Sequence, residues 1–271
     1  MADGPYRLYT SSDQSERLKD YAFHDFDADG VDEIFGTRGG RWRTRYVNPI
    51  SGSLPDWDTI NVSNWETGNL GFGNFLGDSG IDVFSTYDGD WRVSENGNLP
   101  WAQWNWSAAE FDSLRFADFV GSSKTDVMRS IDGYWEVSDS GHTRWSNLNM
   151  SNVQVSHLGF ADLIEDEKTD IFTMYGDDWK VSESGQYRWD VLRTEGGVNQ
   201  QNLAFGNFIG DNKLDIFYAD GTDWYVYELD NGSILDRKFI RAAPYRVEDL
   251  DFADLDGDGW TDILIMKYQD E

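Results

Sequence analysis

Cysteine is absent from this 271-residue chain, which excludes disulfides and thiolate metal sites but leaves the compartment open. No run of 18 apolar residues occurs and none follows Met1-Ala2-Asp3-Gly4, so neither a membrane span nor a signal peptide is expected in the sequence as it stands. Histidine occurs three times, at His24, His142 and His157, in non-equivalent positions. There is no nucleophile elbow, no paired-histidine metal helix and no phosphate-cradling glycine loop. Catalysis therefore has little to stand on, and a non-enzymatic protein is expected. Basic residues are also scarce: 22 Lys and Arg face 50 Asp and Glu, giving a formal charge of −28. Such a field repels phosphate backbones, disfavours nucleic acid as a partner and favours cations, and it also serves solubility. No stretch carries an apolar stripe of period 3.6, so long amphipathic helices are not expected.

What the chain does have is repetition. An aromatic, a short residue, Asp or Asn, an apolar residue, a short acidic loop and then Asp or Glu with Ile or Val return six times, starting at Phe23, Phe72, Phe116, Phe160, Phe205 and Phe252. A period in the forties marks stacked supersecondary units. Short β-branched and aromatic runs broken by Gly, Asp, Asn and Ser read as four strands per unit. The expectation is an all-β, six-bladed β-propeller of four-stranded blades, a single domain over residues 1–271. The last unit ends after Asp262-Ile263-Leu264-Ile265-Met266, with two strands, and Asp3-Gly4-Pro5-Tyr6-Arg7-Leu8-Tyr9 resembles Asp88-Gly89-Asp90-Trp91-Arg92-Val93-Ser94. N- and C-terminal strands are thus expected to close the last blade together.

Two loops have the spacing of cation sites. Asp25, Asp27, Asp29 and Glu33 occupy positions 1, 3, 5 and 9 of the first, and Asp254, Asp256, Asp258 and Asp262 those of the last. Calcium takes six to eight oxygens, and the Gly at position 6 lets the chain turn so that the carbonyl of Val31 or Trp260 faces inward. Asp32 is a competing ligand beside Glu33. Without a cation, such carboxylates would repel one another or remain solvated turn residues. In the middle four loops position 3 is apolar (Leu76, Val120, Ile164, Ile209), and their Asp or Asn residues read as hydrogen-bonded turns.

The anchor, the D-x-D-x-D-G loop and the following Asp-Ile resemble the FG-GAP or VCBS repeat, the calcium-binding propeller repeat also found in integrin alpha-subunit heads and in many secreted bacterial proteins. The resemblance covers nearly the whole chain. It implies a propeller with Ca2+ held structurally at two sites, and an extracellular, secreted or cell-surface location. Integrin heads have seven blades, so their partner-binding surfaces do not transfer.

A second motif follows each loop: Trp91, Trp135, Trp179 and Trp224 each stand in an Asp/Tyr-Trp-x-Val strand, with Trp42 in a variant. A further Trp follows at Trp101, Trp145 and Trp189, the last two preceded by Arg144 and Arg188. Packing between blades accounts for the first Trp of each pair. The second, together with Trp104 and Trp106, offers the indole faces and polar neighbours on which sugar rings stack. Acidic pairs such as Asp88 and Asp90, or Asp177 and Asp178, recur before Trp in several units and read as turn residues. Repeated clefts suit a multivalent binder better than an enzyme, which needs one asymmetric constellation. The leading expectation is a calcium-stabilised, lectin-like module with a glycan partner. A protein-binding adhesin or toxin scaffold is the alternative, with a polysaccharide lyase or glycoside hydrolase behind both.

Overall fold

The computed structural model describes residues 6–11, 17–47, 54–78 and 80–268. Asp3, Gly4 and Pro5 of the N-terminal motif lie outside them. The chain folds as an all-β β-propeller with five four-stranded antiparallel blades. The first blade is built from Tyr21–His24, Glu33–Thr37, Arg41–Arg45 and Asp58–Val62. The second uses Gly71–Gly73, Asp82–Tyr87, Asp90–Ser94 and Ala102–Trp106, and the third Arg115–Ala117, Asp126–Ile131, Tyr134–Ser138 and Ser146–Met150. The fourth runs through Gly159–Ala161, Asp170–Tyr175, Asp178–Ser182 and Asp190–Thr194, and the fifth through Leu203–Gly206, Asp215–Ala219, Asp223–Asp230 and Ser233–Ala242. Two compact units divide these sheets. One, chiefly residues 29–68 and 198–271, holds the first and fifth blades and the terminal sheet; the other, chiefly 69–197, holds the second to fourth blades.

The six-bladed expectation is corrected here. The terminal sheet has three strands, Tyr6–Ser11, Asp262–Tyr268 and Leu250–Ala253, and its N-terminal strand pairs parallel to Asp262–Tyr268. In the five blades a tight hairpin forces the third strand antiparallel to the second; strands from opposite ends of the chain share no hairpin and are free of that constraint.

In the second and third blades the second and third strands join through two-residue turns with both residues left-handed, such as Asp88 (φ 51°) and Gly89 (φ 83°). This conformation matches strand twist and explains the Asp-Gly dipeptides. Buried Trp42, Trp91, Trp135, Trp179 and Trp224 anchor the third strands, all fully enclosed. In the second unit Trp91 packs with Phe75, Phe84, Leu114 and Val127, and Trp135 with Phe119, Met128 and Ile171, joining adjacent blades. In the first, Trp224 packs with Phe208, Phe217 and Ile263. Backbones also come close: a Cβ at Gly71 would lie 2.6 Å from the Phe116 ring, so only glycine fits.

Candidate functional site

All six acidic loops share one backbone design. The fourth residue is left-handed in each, from Ala28 (φ 60°) to Gly257 (φ 71°). The first residue turns the loop by accepting backbone N–H groups: Asp25 from Asp29 and Gly30, Asp118 from Gly121, Ser122 and Ser123, Asp162 from Asp166 and Glu167, Asp254 from Gly257 and Gly259. These are the side-chain-to-backbone turns read from the middle loops, and the two acidic loops use them as well.

Neighbouring loops within a unit interlock through the eighth residue. The N–H of Thr125 donates to Asn74, that of Thr169 to Asp118, that of Thr261 to Asn207 and that of Asp32 to Asp254, at 2.7–2.8 Å. Asp32 fills the place threonine takes in the other three of these pairs; its carboxylate accepts the Asp254 N–H at 2.8 Å. Burial raises its pKa, and the nearby Asp254 and Asp25 charges add to the rise. The seventh side chain lies over the preceding loop: Lys124 on Gly77, Lys168 on Gly121, Val31 on Gly257 and Trp260 on Gly210.

The ninth residue does something the sequence did not reveal. Asp126 is fully buried and accepts N–H groups from Phe119 (2.9 Å), Val120 (3.0 Å) and Ser140 (2.8 Å). Asp82 holds Phe75, Leu76 and Asn96 in the same way, and Asp170 holds Leu163, Ile164 and Ser184. Asp215 holds Phe208 and Ile209. Each carboxylate thus ties its loop to the sheet and, in the second to fourth blades, to the left-handed turn after the third strand. Burial pushes Asp126, Asp170 and Asp215 up to about 6, opposed by those N–H bonds. The repetition of Asp at this position, where the third ligand has been lost, is the sequence signal for this role.

Of the proposed metal ligands, Asp254, Asp256 and Asp262 bring carboxylate oxygens within 4.8 Å of one another, and so do Asp25, Asp27 and Asp29. Glu33 is buried in its strand and Asp258 bonds the Trp260 N–H; neither joins its cluster. Val31 bonds Asp29 through its own N–H. Three converging carboxylates form an all-oxygen donor set that fits a hard cation such as calcium. Asp262 serves two ends, since it also accepts the Leu255 N–H at 3.2 Å.

The second tryptophans pack against the first. Trp145 meets Trp91 edge-on at 5.3 Å and donates its indole N–H to Ser107, while Trp189 meets Trp135 at 5.5 Å. Arg129 covers the Trp145 ring at 4.2 Å. Trp101 is half-buried, and Trp104 donates to the Ser140 carbonyl at 2.8 Å and packs at a tilt against the His142 ring, 4.7 Å between centroids. Arg144 and Arg188 are exposed. Trp106 is 64% exposed at the end of its strand. Beside it and on the next blades stand exposed Tyr87, Ile131, Tyr134, Met150 and Tyr175. Asp88 and Asp177 lie in the hairpin turns beneath them.

Comparison with known proteins agrees with the fold. Residues 207–265 match the FG-GAP-like repeat family. No curated protein matches the chain in sequence. A chain of the Photorhabdus luminescens Tc holotoxin pore superposes over 92% of this chain with a TM-score of 0.70 and 12% identity. An Agrocybe aegerita lectin, described as recognising non-reducing terminal N-acetylglucosamine, superposes over 90% with a TM-score of 0.62 and 14% identity. The chain spans 13% of that toxin chain's length and 73% of the lectin's. No helix among the described residues is long and apolar enough to cross a membrane.

Proposed function

We propose that this propeller is a lectin-like recognition module that binds glycans, with calcium bracing the loops at Asp25 and Asp254. The observation that carries the reading is the set of exposed aromatic and apolar side chains at the hairpin ends of the second to fourth blades, set beside carboxylates, amides and guanidinium groups. Sugars present C–H faces that stack on aromatic rings and hydroxyls that need such polar groups to orient them. A lectin of the same fold, which recognises N-acetylglucosamine, supports it. Calcium would rigidify the loops, a structural role consistent with three oxygen ligands meeting at each. The module acts without catalysis, outside the cell or at its surface. A second reading, a protein-binding scaffold, draws on the likeness to the toxin-complex chain. A glycan array in calcium-containing buffer separates the two. Saturable binding to one sugar family, competed by the free sugar, supports the lectin; a blank array, with one protein captured at defined stoichiometry, supports the scaffold.

A further inference from the structure

We propose that the hairpin end of the second blade is the principal sugar subsite and takes one neutral pyranose ring. This rests on the glycan-binding reading above and narrows it to one place. Tyr87 pairs with Asp90 and Asp90 with Trp106, so the three side chains form a row on one face of three adjacent strands. Arg92 and Gln103 stand opposite each other in the row behind it. Two strand spacings separate Tyr87 from Trp106, about 10 Å between backbones, which leaves room for one sugar ring against the aromatic faces.

The platform is fixed before any ligand arrives. Trp106, though mostly exposed, lies against the turn so closely that a Cβ at Gly89 would meet its Nε1 at 2.7 Å. Gly89 is therefore required twice, for its φ of 83° and for the indole above it. Tyr87 is 59% exposed, and the Arg92 guanidinium stands 5.7 Å from its ring centroid. Asp90 lies 3.6 Å from Arg92 and 3.4 Å from the Gln103 amide. A hydroxyl can donate to Asp90 and accept from Arg92 or Gln103. The rigid aromatic walls keep the ordering cost of binding low.

Charge selects the ligand class. Asp88 in the turn and Asp90 in the row outnumber the Arg92 guanidinium, so the subsite carries net negative charge, and together with the −28 of the whole chain it opposes sialylated, sulfated or uronate-rich glycans. The equivalent rows on the next two blades lack the same equipment. In the third blade the row is Ile131, Tyr134 and Met150, and Arg129 and Glu136 behind it are closed on each other at 2.6 Å. In the fourth, Thr194 stands where Trp106 does and its hydroxyl occupies Asp178 at 2.7 Å.

The test is an array of neutral hexose- and N-acetylhexosamine-terminated glycans with their sialylated and sulfated counterparts, probed with wild type, Tyr87→Ala, Trp106→Ala and, as a control away from the hairpin ends, Val191→Ala. The expected result is wild-type binding to neutral glycans, a loss of about tenfold or more in apparent affinity for each second-blade variant, and little change for Val191→Ala. All three positions are exposed, so unchanged melting temperatures exclude misfolding as the cause. Neutral binding that survives both second-blade substitutions, or wild-type binding confined to charged glycans, overturns the subsite and leaves the lectin reading standing. A blank wild-type array removes both.

Discussion

Replacing Asp126 with alanine tests how these loops are held. Its two oxygens satisfy three N–H groups, two of them wholly buried, and the side chain is fully enclosed. Each orphaned buried donor costs about 1–3 kcal/mol. Losing a desolvated charge returns part of that, as the rise of this carboxyl to about 6 indicates. The balance is a destabilisation of about 3 kcal/mol, a large part of the 5–15 kcal/mol typical of folded proteins. Asp215→Ala orphans two donors and should cost less. Asp190→Ala, whose 4.0 Å contact with Arg188 is exposed on both sides, should change stability by less than about 0.5 kcal/mol. Urea unfolding followed by tryptophan fluorescence reads all three. If Asp126→Ala unfolds with Asp190→Ala, or Asp215→Ala proves the more costly, the clamp argument is wrong.

Three other outcomes follow from the same contacts. In chelator, stability should rise as pH falls from 7.5 to 5: Asp126, Asp170, Asp215 and Asp251, each near 6, take up protons in the folded state before the unfolded chain does, and His24, lowered to about 4 by burial, opposes them with one proton. A melting temperature that drops across this window contradicts those shifts. Calcium at a hundredfold excess over its dissociation constant should add about 2.7 kcal/mol per site, and Asp254→Ala should remove one site's share; calorimetric melts with and without chelator measure both. Trp135→Ala, which empties a sealed interblade position and removes the bond to the Val153 carbonyl, should cost about 3–5 kcal/mol, read by chemical denaturation.

The blades were legible because strand alternation, Asp-Gly turns and a steady period are local signals. Each first Trp fell where alternation with Val put it, inside. The terminal sheet was not legible: Tyr6–Ser11 pairs across the length of the chain, and nothing in a strand's own pattern states the direction of a partner it is not hairpinned to. The loops were half legible. Aspartate at the ninth position is visible, but whether its oxygens face an ion or backbone N–H groups depends on burial, and Asp126 shows the second. That one indole of Trp101, Trp104 and Trp106 faces solvent was legible, but which one was hidden by a bulge. All five blades shift register just after the first Trp, so Trp104 is the extra residue between the partners of Trp91 and Arg92. That slip sends Trp104 to the neighbouring blade and returns Trp106 to the row of Tyr87 and Asp90.

The most direct measurement of the central claim is binding of the intact chain to arrayed neutral glycans in calcium, with the free sugar as competitor. Saturable binding to one neutral family, abolished by the free sugar, is the expected result. An array without binding, or binding that free sugar does not displace, contradicts it.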